Sequence, residues 1–306
     1  MKKVFIGSLF LLLVVLSDIC VGGITRKVIL NVPDVGVNQT NSVQALFHRK
    51  ADVLVLGPST ANHHYDTRLL RDSLRMSVYN AGFDGKNIQY SAMVFYSFLQ
   101  RCKPKIVCLD LGPSMLSDEW NGSIGEMNIF YNMSPVVHHI INERATSVQK
   151  IKLCSNLYQC NNSWQWLLHA YLQHGESTTD GYRPLDVVSS NQFRVKHMPY
   201  EQFRVDSVNL RFLDEIVNKC KQRGVKIIFS VSPSLVVTKR SEFERWIRNY
   251  AARHGVDLLD LQDDERFLKH PTLFYDYTHL NCQGAVLFSR NYSAILFMIN
   301  SVSALT

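Results

Sequence analysis

Residues 52–59 read Asp52-Val53-Leu54-Val55-Leu56-Gly57-Pro58-Ser59. Four consecutive apolar residues stop at a glycine and a proline. Such a run predicts a strand buried on both faces, because a half-exposed strand would alternate apolar and polar positions. The pattern recurs downstream. Ser77-Val78-Tyr79-Asn80 runs into Ala81-Gly82, and Lys105 to Leu111 runs into Gly112-Pro113. Val225 to Val231 and Val256 to Leu259 each follow a glycine. Between these runs lie helical stripes. Ile88, Ala92, Phe95 and Leu99 share one face, as do Val205, Val208, Phe212, Leu213, Ile216, Val217 and Cys220. Glu242 to Arg253 reads as a helix, and Ala285, Phe288, Tyr292, Ile295 and Ile299 mark another at the C-terminal end. Buried strands alternating with amphipathic helices predict an α/β fold, a three-layer α/β/α sandwich with a central parallel sheet. Ligands in such folds bind beyond the carboxyl ends of the strands. The loops after Leu56, Asn80, Leu111, Val231 and Leu259 are therefore the places to look for function.

Three segments carry chemistry. Gly57-Pro58-Ser59 places a serine just after the first strand, where a helix can begin and its N–H can face an anion. Asn80-Ala81-Gly82 offers a glycine, at which backbone can approach a ligand closely. Asp276-Tyr277-Thr278-His279-Leu280-Asn281 sets a carboxylate three residues before an imidazole, just ahead of the last helix. At that spacing the carboxylate can orient one ring nitrogen while the other faces a serine hydroxyl, which is the arrangement that activates a serine nucleophile. The plain alternatives are a turn with a helix cap at Ser59, and a capping Asp276 with a packed His279.

Together these segments resemble the SGNH (GDSL-like) hydrolase superfamily, in particular its exported or membrane-anchored bacterial branch. Gly57-Pro58-Ser59 matches the first block, Asn80-Ala81-Gly82 the second, and Asp276 to Asn281 with Gly284-Ala285 and Phe288-Ser289 the last. The resemblance spans roughly residues 50 to 112 and 205 to 300. It implies an SGNH/flavodoxin-like sandwich with Ser59 as nucleophile, His279 as base and Asp276 as its partner. It also implies an oxyanion hole made by the N–H groups of Ser59 and Gly82. Two positions depart from the family pattern. Pro58 stands where the family has Asp, which removes only the N–H of residue 58. Leu111-Gly112-Pro113-Ser114 lacks the Asn whose side chain is the family's third oxyanion donor. Ser114 or Asn62 are the candidates to replace it, and His64 is a candidate pocket residue. The implied activity is an esterase acting on ester-linked acyl groups, with no cofactor and no metal expected; export and the aromatic residues of the insertion point to acyl groups on cell-surface glycans. The alternatives are an O-acyltransferase for cell-envelope polysaccharide and a non-catalytic surface binding protein of the same fold.

The chain ends and composition set the context. Of 306 residues, 46% are hydrophobic and 19% charged, a globular balance that excludes a disordered protein. Net charge is 33 − 26 = +7. No run of five basic residues occurs, so nucleic acid is not an expected partner. Residues 1–25 read as a signal peptide or membrane anchor. Lys2 and Lys3 precede an apolar stretch whose only charge from Val4 to Thr25 is Asp18. Either reading exports residues 26–306, and the anchor is the favoured one. That places the catalytic domain in the periplasm or outside the cell, and the membrane is a partner through the N-terminal segment. Residues 113 to about 200 break the α/β rhythm and read as an inserted irregular or helical segment. Its Trp120, Trp164, Trp166 and Tyr171 are expected to pack within it, although exposed they would suit sugar rings. Six cysteines lie beyond the N-terminal segment without a C-x-x-C pair, and Cys108 and Cys220 read as small buried hydrophobes.

Overall fold

The computed structural model describes residues 2–117, 125–173, 177, 179–187, 193–239 and 241–303. Trp120 lies outside them. The chain divides into two compact units. One comprises Gly36–Ser123 with Ser177–Thr306, the other Met1–Val35 with Ile124–Glu176.

Among the described residues the larger unit has seven strands: β1 (Val53–Leu56), β2 (Val78–Asn80), β3 (Ile106–Asp110), β4 (Lys196–Met198), β5 (Lys226–Val231), β6 (Val236–Thr238) and β7 (Asp257–Asp260). Five form one parallel sheet in the order β2-β1-β3-β5-β7. Every residue of β1, β2 and β3 is buried, as the uninterrupted apolar runs require. Register sets Val53 opposite Val78 on one side and Ile106 on the other, with Cys108 opposite Ile228. Val53 and Val55 point to one face of the sheet, where Tyr65, Leu70, Phe288, Tyr292 and Leu296 complete a core. Those residues come from the segment 59–74 and the helix Cys282–Ser303. On the other face the helices Ile88–Leu99 and Ser207–Arg223 pack together, joined by a buried Gln89–Asn209 side-chain hydrogen bond of 2.9 Å. Helices on both faces of a parallel sheet make the three-layer sandwich.

Local chemistry sets the helix ends. Asp206 accepts hydrogen bonds from the N–H groups of Val208 and Asn209 and so starts Ser207–Arg223, two residues after the apolar stripe begins. Gly224 ends that helix at φ +59°, in the left-handed region. The parallel pair β4–β6 is an addition to the sequence reading. β4 is three exposed residues long, too short and too polar to show a strand pattern. All seven cysteines are free, with Cys108 and Cys220 fully buried.

The smaller unit holds the helix Lys2–Leu30 and the helices Pro135–Arg144, Ser147–Lys152, Asn156–Cys160 and Trp164–Leu172. The N-terminal helix is long and apolar enough to cross a membrane, a property shared by signal sequences. Of the aromatic residues expected to pack here, Trp166 is half-buried, and two others differ from that expectation. Trp164 and Tyr171 are exposed rather than packed.

Candidate active site

The site lies beyond the carboxyl ends of the strands. β1 ends at Leu56, and Gly57 then adopts φ +148°. A β-carbon on Gly57 would stand 2.8 Å from the Asp110 carbonyl oxygen and 2.7 Å from Ala61, so the strand can turn here only because the residue is glycine. Pro58 is extended, and Ser59 opens the helix Ser59–His64. The Ser59 N–H thus belongs to the first turn, where helical backbone donors have no partner inside the helix.

The serine meets the loop that precedes the last helix. Ser59 Oγ lies 2.6 Å from His279 Nε2, and His279 Nδ1 lies 2.8 Å from Asp276 Oδ2. The other carboxylate oxygen, Asp276 Oδ1, accepts from the backbone N–H groups of Thr278 and His279, each at 2.8 Å. One side chain therefore fixes both the loop and the ring. Partial burial alone would raise the Asp276 pKa. The hydrogen bonds from His279 and Thr278 outweigh it and hold the carboxyl well below the usual range. An ionised Asp276 only accepts, so Nδ1 carries a proton and the lone pair of Nε2 faces the Ser59 hydroxyl. That is the tautomer a general base needs.

The other expected positions fall differently. The Gly82 N–H donates to Asn80 Oδ1 at 2.9 Å, so it is not a free oxyanion donor in this structure. A β-carbon on Gly82 would stand 2.4 Å from the Asn62 backbone nitrogen, so this glycine serves close packing against the Ser59 helix. Asn62 is fully buried, and its amide group donates to Asn38 Oδ1 at 2.7 Å and to Asp84 Oδ1 at 2.8 Å. Both N–H groups are committed, so Asn62 does not replace the missing third donor. His64 is also fully buried rather than pocket-lining. Its Nε2 accepts the Leu280 N–H at 2.9 Å, which ties the His279 loop to the Ser59 helix. Burial, reinforced by the nearby His279 and His63, pushes its pKa well down and keeps the ring neutral. Ser114 is exposed and lines the same cavity as Ser59 and His279.

Two groups beside Ser59 and His279 take positions that the sequence did not display. His63 stands edge-on to His279 with ring centroids 5.6 Å apart. Its Nδ1 lies 2.7 Å from the Arg183 carbonyl oxygen and its Nε2 3.1 Å from Asp84 Oδ1. Arg183 reaches the other Asp84 oxygen at 3.1 Å. A His-Asp-Arg cluster thus walls the ring of the expected base. The second group is Asp110, at the end of β3 and fully buried. Ser232 Oγ donates to its two oxygens at 3.1 and 3.0 Å, and Thr60 and Tyr65 also hydrogen-bond to it. Burial dominates those bonds and pushes its carboxyl up to about 7. The only sequence signal was an aspartate closing the apolar run Ile106-Val107-Cys108-Leu109-Asp110.

A cavity of about 360 Å³ opens onto Ser59 and His279. Leu111, Pro113, Val231, Pro233 and Phe243 give it apolar walls. A wider groove of about 770 Å³ shares Pro113 and Ser114 with it and continues along Gln202, Arg204, Asp206 and Ser207.

No family model matches the chain, and no curated protein matches it in sequence. Among solved structures it is similar to a protein assigned to the G-D-S-L lipolytic family from Desulfitobacterium hafniense DCB-2. Identity is 12%, the TM-score is 0.42, and the match covers 79% of this chain and 98% of that one. It is also similar to a protein assigned as an acylhydrolase (BF3764) from Bacteroides fragilis NCTC 9343, at 12% identity and a TM-score of 0.42, covering 87% and 98% of the two chains. The acetyl xylan esterase AlAXEase matches at 12% identity and a TM-score of 0.40, covering 79% and 99%.

Proposed function

We propose that this protein is a serine esterase of the SGNH type, with Ser59 as nucleophile, His279 as general base and acid, and Asp276 as the group that orients His279. The continuous chain of hydrogen bonds from Ser59 Oγ through His279 to Asp276 supports this reading. Ser59 Oγ attacks the ester carbonyl, and its proton passes to His279 Nε2. Asp276 stabilises the imidazolium. The oxyanion faces the Ser59 N–H at the helix start, with the Ser114 hydroxyl as the second donor. His279 then returns the proton to the departing alcohol, which leaves an acyl-Ser59 ester. Water attacks that ester and gives a proton to His279, which passes it to Ser59 Oγ as the acyl–oxygen bond breaks, so the carboxylic acid departs and the Ser59 hydroxyl is restored.

The cavity is small and largely apolar, which suits a short acyl group. The polar groove that adjoins it suits a hydroxyl-rich alcohol partner, such as an acylated glycan. Transfer to a sugar hydroxyl would use the same acyl-enzyme with that hydroxyl in place of water. Hydrolysis is the reading put forward, because water needs no binding site of its own. The N-terminal helix supports an exported protein whose catalytic unit lies in the periplasm or outside the cell.

The test is hydrolysis of aryl acetates and butyrates by the full chain in detergent, with Ser59→Ala alongside. The expected result is turnover by the natural chain and a loss of about 10⁴-fold or more in the variant. Equal rates for the two proteins would overturn the assignment of Ser59.

A further inference from the structure

The apolar stretch of the N-terminal helix contains one acidic residue, Asp18, and the fold gives it four hydrogen bonds from three residues. Oδ1 accepts from Ser155 Oγ at 2.7 Å and from the Leu157 N–H at 3.0 Å. Oδ2 accepts from the Asn156 backbone N–H at 3.0 Å and from its side-chain amide at 2.9 Å. One turn on, Gly22 lets Asn156 come close, since a β-carbon there would stand 2.4 Å from Asn156 Cγ. Arg26 Nη2 donates to Asn156 Oδ1 at 2.8 Å, and Tyr171 Oη donates to the Val28 carbonyl at 2.8 Å. Positions 18, 22 and 25 fall on one helix face. Cutting the chain after Gly23 would remove Asp18 and leave the N–H groups of Asn156 and Leu157 without their acceptor.

The segment that holds Asp18 is itself apolar on its outside. Outside the N-terminal helix, fifteen large apolar side chains of the described residues are exposed, and eight of them fall within residues 147–172. Ile151 is 72% exposed, Leu168 63% and Leu172 67%. In the helix Trp164–Leu172, Leu167 and Ala170 are buried while Trp164, Leu168, Tyr171 and Leu172 form an outward stripe. A helix apolar on both its inner and outer faces belongs in a core or in lipid. From residue 144 to 173 the chain has three basic residues, Arg144, Lys150 and Lys152, and no acidic one. Aromatic rings beside basic side chains are the composition of a bilayer interface.

Span length adds a further argument on the reading of this helix as a span. Val4 to Ser17 rises only ~21 Å as a helix, short of the ~30 Å hydrocarbon core. In a spanning helix, lipid therefore extends past Asp18, to the level of its partners. A charge at that depth has to face protein rather than acyl chains.

We propose that residues 147–172 form a collar beside the N-terminal helix in the outer bilayer interface. The exposed apolar side chains of the collar enter the acyl layer, and Lys150 and Lys152 meet anionic headgroups. This rests on the reading of the helix as a span and is independent of the triad. The test reconstitutes the purified full chain, unmodified, in vesicles of phosphatidylcholine and phosphatidylglycerol carrying a phospholipid with a diazirine on its acyl chain. Peptides are mapped by mass spectrometry after photolysis. The expected result is label on peptides from 147–172 at a level within a few-fold of that on 4–17. Label on 4–17 with none on 147–172 would overturn the collar and leave the span standing. Label on neither would overturn both.

Discussion

Replacing Asp276 by asparagine is expected to lower kcat/KM for an aryl ester by about 10⁴-fold while the fold stays intact. The cause is a change of tautomer. Asp276 Oδ1 accepts two backbone N–H groups, a task an amide oxygen can keep. The position of Oδ2 would then carry an NH₂ group, which donates towards His279 Nδ1. That nitrogen would have to accept, so the ring proton would move to Nε2. Nε2 would face Ser59 as a donor and could no longer take its proton. Circular dichroism should match the natural chain, and steady-state kinetics should show the fall mainly in kcat. A variant with near-normal kcat would mean that Asp276 caps the loop and does nothing for the imidazole.

The second large effect concerns stability rather than rate. Asp110 is fully buried and its carboxyl is pushed up to about 7, against an ordinary value of 3.8. A group whose folded pKa exceeds its unfolded one favours the folded state at low pH. That contribution is complete below about pH 4 and disappears as pH rises through about 7. A shift of this size corresponds to a loss of about 4 kcal/mol across the window. Asp110→Asn keeps the size and most of the hydrogen bonding of the neutral acid but does not titrate. Urea unfolding at pH 5 and pH 8 should therefore show a smaller fall in stability for the variant than for the natural chain. The natural chain should be less stable than the variant at pH 8. Parallel curves for the two proteins would show that Asp110 is ionised throughout.

The two effects differ in how far sequence could foretell them. The strands of the main sheet were legible because covering both faces makes their centres apolar runs, although the edge strand β7, Asp257-Leu258-Leu259-Asp260, is only half-buried. Their observed ends fall within one residue of the runs at Val53–Leu56, Val78–Asn80 and Ile106–Asp110. The geometry that unites Ser59, Asp276 and His279 was legible for another reason. Fold topology brings the loops after β1 and before the last helix to one sheet edge, and residue type then suggests the chemistry. What escaped the reading depends on partners distant in sequence or on competition for a hydrogen. Asn62 looked like a free donor until Asn38 and Asp84 occupied its amide. The Gly82 N–H looked like an oxyanion donor, but Asn80 Oδ1 two residues back takes it. Asp110 is set apart only by depth, which a sequence does not display. The residues from 147 to 172 broke the α/β rhythm visibly, but the outward direction of Leu168 and Leu172 follows from which side of their helix is buried.

Covalent labelling bears on the nucleophile without any knowledge of the natural ester. The full chain is treated with a fluorophosphonate, which phosphonylates a serine only where a base removes its proton and donors hold the developing oxyanion. The adduct is then located by peptide mass spectrometry. The triad predicts one stoichiometric adduct on Ser59, absent in His279→Ala. No adduct on Ser59, or equal labelling of Ser59 in the natural chain and in His279→Ala, would contradict the proposal that His279 activates Ser59 for attack on an ester.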